Sequence, residues 1–144
     1  MTRVKELTVN EVEYVAFYLA RRLLTFNEPI PDFHTRFPNK LESCLAMPFQ
    51  KFNRRSLYQG LAGKSAILFY LLIKNHPFQN GNKRIAMTAL LAFLYKNKKW
   101  LKADQKEFYN FAMWVAQSPA GANEETIQYT EKFIKKNLVN LINN

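Results

Sequence analysis

Acidic residues are scarce in this chain. Against 21 Lys and Arg it carries 11 Asp and Glu, a formal net charge of +10. Such a balance favours polyanions as partners: nucleotides, nucleic acid or an acidic protein. Cysteine is almost missing. Cys44 stands alone, which excludes an intramolecular disulfide and a cysteine-built zinc site. That suits a reducing cytoplasm. Glycine (4) and proline (6) are few, as expected of a helical rather than turn-rich chain. No apolar run is long enough to span a membrane. Residues 1–7 lack the apolar core of a secretion signal. These absences predict a cytoplasmic protein with no membrane segment.

What is present is a core. Apolar residues make up 48% of the chain and aromatics 15%, too many for a disordered segment. With no repeat and no strong linker, residues 1–144 are expected to form a single domain. Thr8-Val9-Asn10-Glu11 reads as a capping box opening a helix to about Leu24. Asn27-Glu28-Pro29-Ile30-Pro31-Asp32 reads as loop by its prolines. A short helix from Asn39 to Met47 carries Leu41, Cys44 and Leu45. Phe49-Gln50-Lys51-Phe52 alternates, and Asn53-Arg54-Arg55 is polar, which predicts a short hairpin. A second capping box, Asp104 to Glu107, opens a helix carrying Phe108, Phe111, Ala112, Trp114 and Val115. Ser118-Pro119-Ala120-Gly121 stops it. A last helix runs from about Asn123 through Ile127, Phe133, Ile134 and Leu138 to Leu141 and Ile142.

The chain is organised around His76-Pro77-Phe78-Gln79-Asn80-Gly81-Asn82-Lys83-Arg84. Apolar runs flank it, residues 66–73 before and 85–95 after. Each is apolar nearly all round, which marks a buried helix. So a polar, basic loop joins the two most buried helices. Pro77 ends the first helix and Gly81 permits a tight turn. Asn82, Lys83 and Arg84 then open the second. Its N-terminus offers unpaired N–H groups and partial positive charge, where cations are disfavoured unless an anion joins them. The combination suits phosphate. His76 can take a proton near neutral pH. A base beside a phosphate cradle suggests moving a phosphorus-centred group to a hydroxyl. Phe78 reads as an apolar anchor. His34, in a proline-flanked loop, is read as structural. Lys132, Lys135 and Lys136 are read as a solvated helix face.

The loop resembles the signature of the Fic/Doc family, H-x-F-x-[D/E]-[A/G]-N-[G/K]-R. His76, Phe78, Gly81, Asn82, Lys83 and Arg84 match it. Lys83, and Met87 in place of a second Arg, are similar to the Doc branch, the death-on-curing toxins. Leu41-Glu42-Ser43, Met47-Pro48-Phe49-Gln50 and Phe93-Leu94-Tyr95-Lys96-Asn97 are also Doc-like. The resemblance spans most of residues 4–120.

It implies an all-α, Fic-like helical bundle with the motif loop between two central buried helices and a small β-hairpin flap. It implies His76 as catalytic base and Gly81, Asn82, Lys83 and Arg84 as the binding site for ATP phosphates. Phe49, Gln50, Lys51 and Phe52 are implied as a flap docking the target by strand addition. The family's Asp or Glu, implied to hold Mg²⁺, is replaced by Asn80. An Asn carbonyl is a weaker magnesium ligand than a carboxylate. The implied function is a toxin of a toxin–antitoxin system that phosphorylates a translation factor, such as elongation factor Tu. AMP transfer and a degenerate, non-catalytic binding protein are the alternatives. A nucleic-acid module is disfavoured, because the basic residues are spread along the chain. Many Fic proteins restrain themselves with [S/T]-x-x-x-E-[G/N]. Thr2 to Glu6 comes near it but continues with Leu7. A separate acidic antitoxin chain is therefore expected.

Overall fold

The computed structural model describes residues 3–23 and 30–141. These are mostly helical, with two small antiparallel strand pairs, consistent with a Fic-like all-α fold. The first helical stretch opens on the expected capping box. Thr8 Oγ1 accepts from the Glu11 N–H at 3.2 Å, and Glu11 Oε1 accepts from the Thr8 N–H at 2.9 Å. The chain continues as α1 (Val9–Glu11), a π-helical segment (Val12–Phe17) and α2 (Tyr18–Leu23). The π segment was not expected, because apolar spacing over so few residues does not separate i→i+5 from i→i+4 pairing. Leu24 and the Asn27-Glu28-Pro29 part of the expected loop lie outside the described residues.

α3 (Pro38–Ala46) starts on a proline, whose missing N–H is harmless at that position. It buries Leu41, Cys44 and Leu45, as its spacing predicted. The hairpin follows as β1 (Lys51–Phe52) and β2 (Arg55–Ser56), paired Lys51 to Ser56 and Phe52 to Arg55. Its turn residues Asn53 and Arg54 both take positive φ, 51° and 66°, as a tight two-residue hairpin turn requires. Phe49 is a correction. It lies outside the hairpin, in the 3₁₀ turn Met47–Phe49, and packs edge-on against Phe93 with centroids 6.3 Å apart. The hairpin offers a ring no such cover: Phe52 is 68% exposed.

α4 (Gly60–Lys74) and α5 (Asn82–Lys96) pack on each other at the centre. Both are buried along most of their length, as their all-round apolar runs predicted. Then come β3 (Lys99–Leu101), α6 (Gln105–Gln117), α7 (Asn123–Asn137) and β4 (Leu138–Asn140). Asp104 caps α6, its Oδ2 accepting from the Lys106 and Glu107 N–H groups at 3.2 and 3.3 Å. Phe111 and Phe133 stack at 4.1 Å between α6 and α7, and Phe69 of α4 stacks on Phe108 and Phe111. The last helix stops earlier than expected. Residues 138–140 leave it to pair antiparallel with β3. That partner lies some forty residues back, out of reach of a local pattern.

α5 is closed at its far end by Asn97. Its Oδ1 accepts from the Lys5 N–H at 2.7 Å, and its Nδ2 donates to Lys5 O at 3.0 Å and Phe93 O at 2.9 Å. The N-terminal segment is thereby strapped to the central helix. Lys96 adds to this by donating to Glu6 O and Glu11 Oε1, both at 2.7 Å. Asn97→Ala is expected to cost about 1–3 kcal/mol, the range for stranding partly buried backbone groups. It should also speed amide exchange at Lys5 more than at β1. Equal stability and unchanged exchange would show that the strap is incidental.

Candidate active site

α4 ends with the Asn75 N–H bonded to Leu71 O at 2.9 Å, and Pro77 cannot extend the helix. Between them His76 takes φ +47°. A left-handed backbone at a non-glycine residue costs on the order of 1–3 kcal/mol, and something must hold it there. Asn82 is that clamp. Its Oδ1 accepts from the Phe78 N–H at 3.0 Å, and its Nδ2 donates to Phe78 O at 2.9 Å. The same nitrogen lies 3.4 Å from His76 Nδ1.

Two further contacts fix the loop. The Phe37 N–H donates to Pro77 O at 2.8 Å, and Phe78, 1% exposed, lies 6.0 Å from Phe33 between ring centroids. Gly81 takes φ +73° at the N-cap of α5, a conformation that suits glycine, and its carbonyl accepts from the Ile85 N–H at 3.0 Å. His76, Gln79 and Asn80 remain exposed at the tip, while Gly81, Asn82 and Arg84 are buried beneath it. An exposed polar tip on a buried footing brings His76, a proton acceptor, and a helix N-terminus to one surface.

The remaining expected site residues are placed as follows. Lys83 is half-buried on the first turn of α5. Arg84 is 6% exposed, and its Nη2 donates to Ala20 O at 2.5 Å. A carbonyl of the N-terminal helix thus supplies the negative end that a cation at a helix start requires. Asn80 Oδ1 accepts from the Gly81 N–H at 2.8 Å. Its one neutral oxygen does not make a magnesium site, and no group of three or more His, Cys, Asp or Glu among the described residues could hold a metal. Cys44 is no alternative nucleophile: burial pushes its thiol up to about 11.

The hairpin precedes α4 and the loop follows α4, whose 15 residues span about 22 Å. Residues 33–37 border the loop, through Phe33 and Phe37. Its prolines and aromatics gave no strand pattern by which to find it. A cleft of about 810 Å³ lies between the N-terminal helical stretch and α5 and includes no loop residue.

A helical bundle that sets an exposed histidine loop at the N-terminus of its most buried helix has the architecture of a Fic-type protein. A sequence model of the Fic/Doc family matches residues 7–94, more than half the chain. The chain belongs to the Fic/Doc family, protein-modifying enzymes that generally transfer nucleotide-derived groups to proteins. No curated protein and no solved structure matches it.

Arg84→Ala is expected to lower unfolding free energy by about 1.5–3 kcal/mol, because it removes a buried hydrogen bond from a charged donor. Denaturant unfolding followed by tryptophan fluorescence checks this. A wild-type midpoint would mean that the guanidinium contributes nothing to packing.

Proposed function

We propose that this chain is a Doc-like enzyme that transfers a phosphate-containing group from ATP to a protein hydroxyl, with phosphorylation the expected form. The observation that carries the reading is His76, exposed and clamped beside the N-terminus of α5. ATP supplies the transferred group. Asn82 and Lys83, on the turn that Gly81 sets at the start of α5, receive its phosphates through backbone amides and positive charge. Arg84 supports that turn from within. His76 takes the proton of the attacking hydroxyl as its oxygen bonds to phosphorus. The fixed loop lowers the entropy of bringing these groups together.

The target is proposed to be a translation factor such as elongation factor Tu, entering along residues 33–37. The partner is proposed to be an acidic antitoxin chain, which a net charge of +10 would attract. A cytoplasmic setting belongs to the same proposal; no helix among the described residues is long and apolar enough to cross a membrane. Asn80 favours a second reading, a Fic-fold binding protein without transfer, since the loop then lacks its charged magnesium ligand.

Incubation with lysate and ATP labelled at the γ- or α-phosphate separates the readings. Label from γ alone is expected; label from α means AMP transfer; neither means a binding protein. His76→Ala is expected to abolish labelling while nucleotide affinity, read by calorimetry, stays near wild type. Equal affinity loss in His76→Ala and Lys83→Ala would contradict this division of roles. Asn80→Asp is expected to lower the Mg²⁺ concentration for half-maximal nucleotide binding about tenfold, a difference of about 1.4 kcal/mol. Superimposable titrations would make Asn80 a neutral substitution.

A further inference from the structure

Asn82 has one amide and three neighbours. Its Oδ1 meets the Phe78 N–H at 3.0 Å. A backbone N–H only donates, so the atom facing it is the amide oxygen and the orientation of the group is set. The amide nitrogen therefore faces Phe78 O at 2.9 Å and His76 Nδ1 at 3.4 Å. That nitrogen carries two hydrogens and accepts nothing. Nδ1 must then be the accepting nitrogen of the imidazole. In the neutral ring the single proton sits on Nε2.

We propose that Asn82 is a positioning residue that holds neutral His76 in the Nε2–H tautomer and so makes Nδ1 the nitrogen that receives the proton in transfer. The proposal rests on His76 being the base of the reaction above. The three distances divide the work. The contacts to Phe78 are of ordinary length and shape the loop, whereas 3.4 Å is long for a hydrogen bond. A substrate hydroxyl, which a base engages at about 2.6–3.2 Å, displaces the long contact and leaves the other two in place. The O–H bond then breaks and its proton passes to Nδ1. The ring becomes imidazolium, with Nε2–H retained. The oxygen's electron pair forms the new bond to phosphorus, and the departing nucleotide or pyrophosphate oxygen keeps the pair of the bond that breaks.

The test is ¹⁵N NMR of the full chain with ring-labelled histidine, without ATP or target. The pH is about 8.5, two units above the ordinary imidazole value. The chain has two histidines, so His34→Gln assigns the signals. His76 Nδ1 is expected to give the pyridine-type resonance and Nε2 the pyrrole-type. In Asn82→Asp one carboxylate oxygen still accepts from Phe78 N–H, and the other, acceptor only, accepts a hydrogen bond from an Nδ1–H. The tautomer should invert, and transfer should fall about 100-fold, the low end of what a positioned base supplies. A wild-type ring protonated at Nδ1, or an Asn82→Asp ring still protonated at Nε2, overturns the proposal. If Asn82→Asp does not fold, the wild-type spectrum alone decides it. Label transfer with the opposite tautomer sinks this inference and spares the enzyme reading. The expected tautomer without any transfer sinks the enzyme reading, and with it the role of Nδ1 in catalysis.

Discussion

Burying a helix on every side removes water from its ends as well as its faces. A helix leaves its first N–H and last C=O groups unpaired, and stranding them away from water costs on the order of 1–3 kcal/mol each. At the end of α5 Asn97 meets it by donating to Phe93 O, while no side chain caps the first N–H groups; an asparagine at each end also ties down the neighbouring segment. Asn82, its first residue, holds both backbone groups of Phe78. Asn97, its C-cap, holds both backbone groups of Lys5. The two amides make the same pair of bonds to two different segments. One ties down the loop before α5 and the other ties down the start of the chain. The first also reaches His76. The tie on the loop and the orientation of the candidate base are therefore one side chain, and a polar loop can sit beside the core because its amide is spent inward.

The scarcity of carboxylates gives the electrostatics their form. Cations near the core are handed to backbone carbonyls. Arg84 donates to Ala20 O, Lys64 to Tyr58 O at 2.6 Å, and Lys74 to Ser118 O at 2.5 Å just past the end of α6. Such oxygens carry partial negative charge, and bonds to them from an ionised donor are stronger than neutral ones. These bonds also join segments far apart in sequence. Burial, and then the nearby Lys51, hold the Lys64 ammonium below the usual lysine value, as expected where no carboxylate stands opposite. Glu11 does bond a cation directly, Lys96 at 2.7 Å. Burial pushes its carboxyl up, but hydrogen bonds from Lys96 and Thr8 more than offset this and leave it below its usual value.

The elements legible in sequence were those whose signal is local. The apolar runs of α4 and α5, the capping residues Thr8 and Asp104, and the Leu41, Cys44 and Leu45 spacing of α3 each depend on residues within a few turns. What escaped depends on partners far along the chain. β4 exists because β3 lies beside it, and nothing between Leu138 and Asn140 says so. Phe49 was grouped with the hairpin by adjacency, yet its ring goes to Phe93. The hairpin itself was correctly read from its turn. At the loop, the residue types were legible and their division of labour was not. Sequence spacing does not show that Asn82 faces inward or that Arg84 is capped by the carbonyl of Ala20.

That inward turn of charge bears on Asn80. Residues 75–84 contain no carboxylate, so the tip of the loop presents His76, Gln79 and Asn80 as neutral or basic groups. A carboxylate at position 80 would offer a metal a hard ligand. It would also stand close to arriving phosphates and repel them whenever no metal intervened. The amide removes both effects. Its oxygen is instead used locally, accepting from the Gly81 N–H and helping to set the left-handed turn that starts α5. On the proposed reading, the neutral amide holds a metal more weakly and leaves the phosphates more dependent on the helix N-terminus and the Lys83 ammonium. The charge that would build up during transfer is then left with less to neutralise it. An enzyme with this loop would need more magnesium than one with a carboxylate at position 80, and would turn its nucleotide over more slowly.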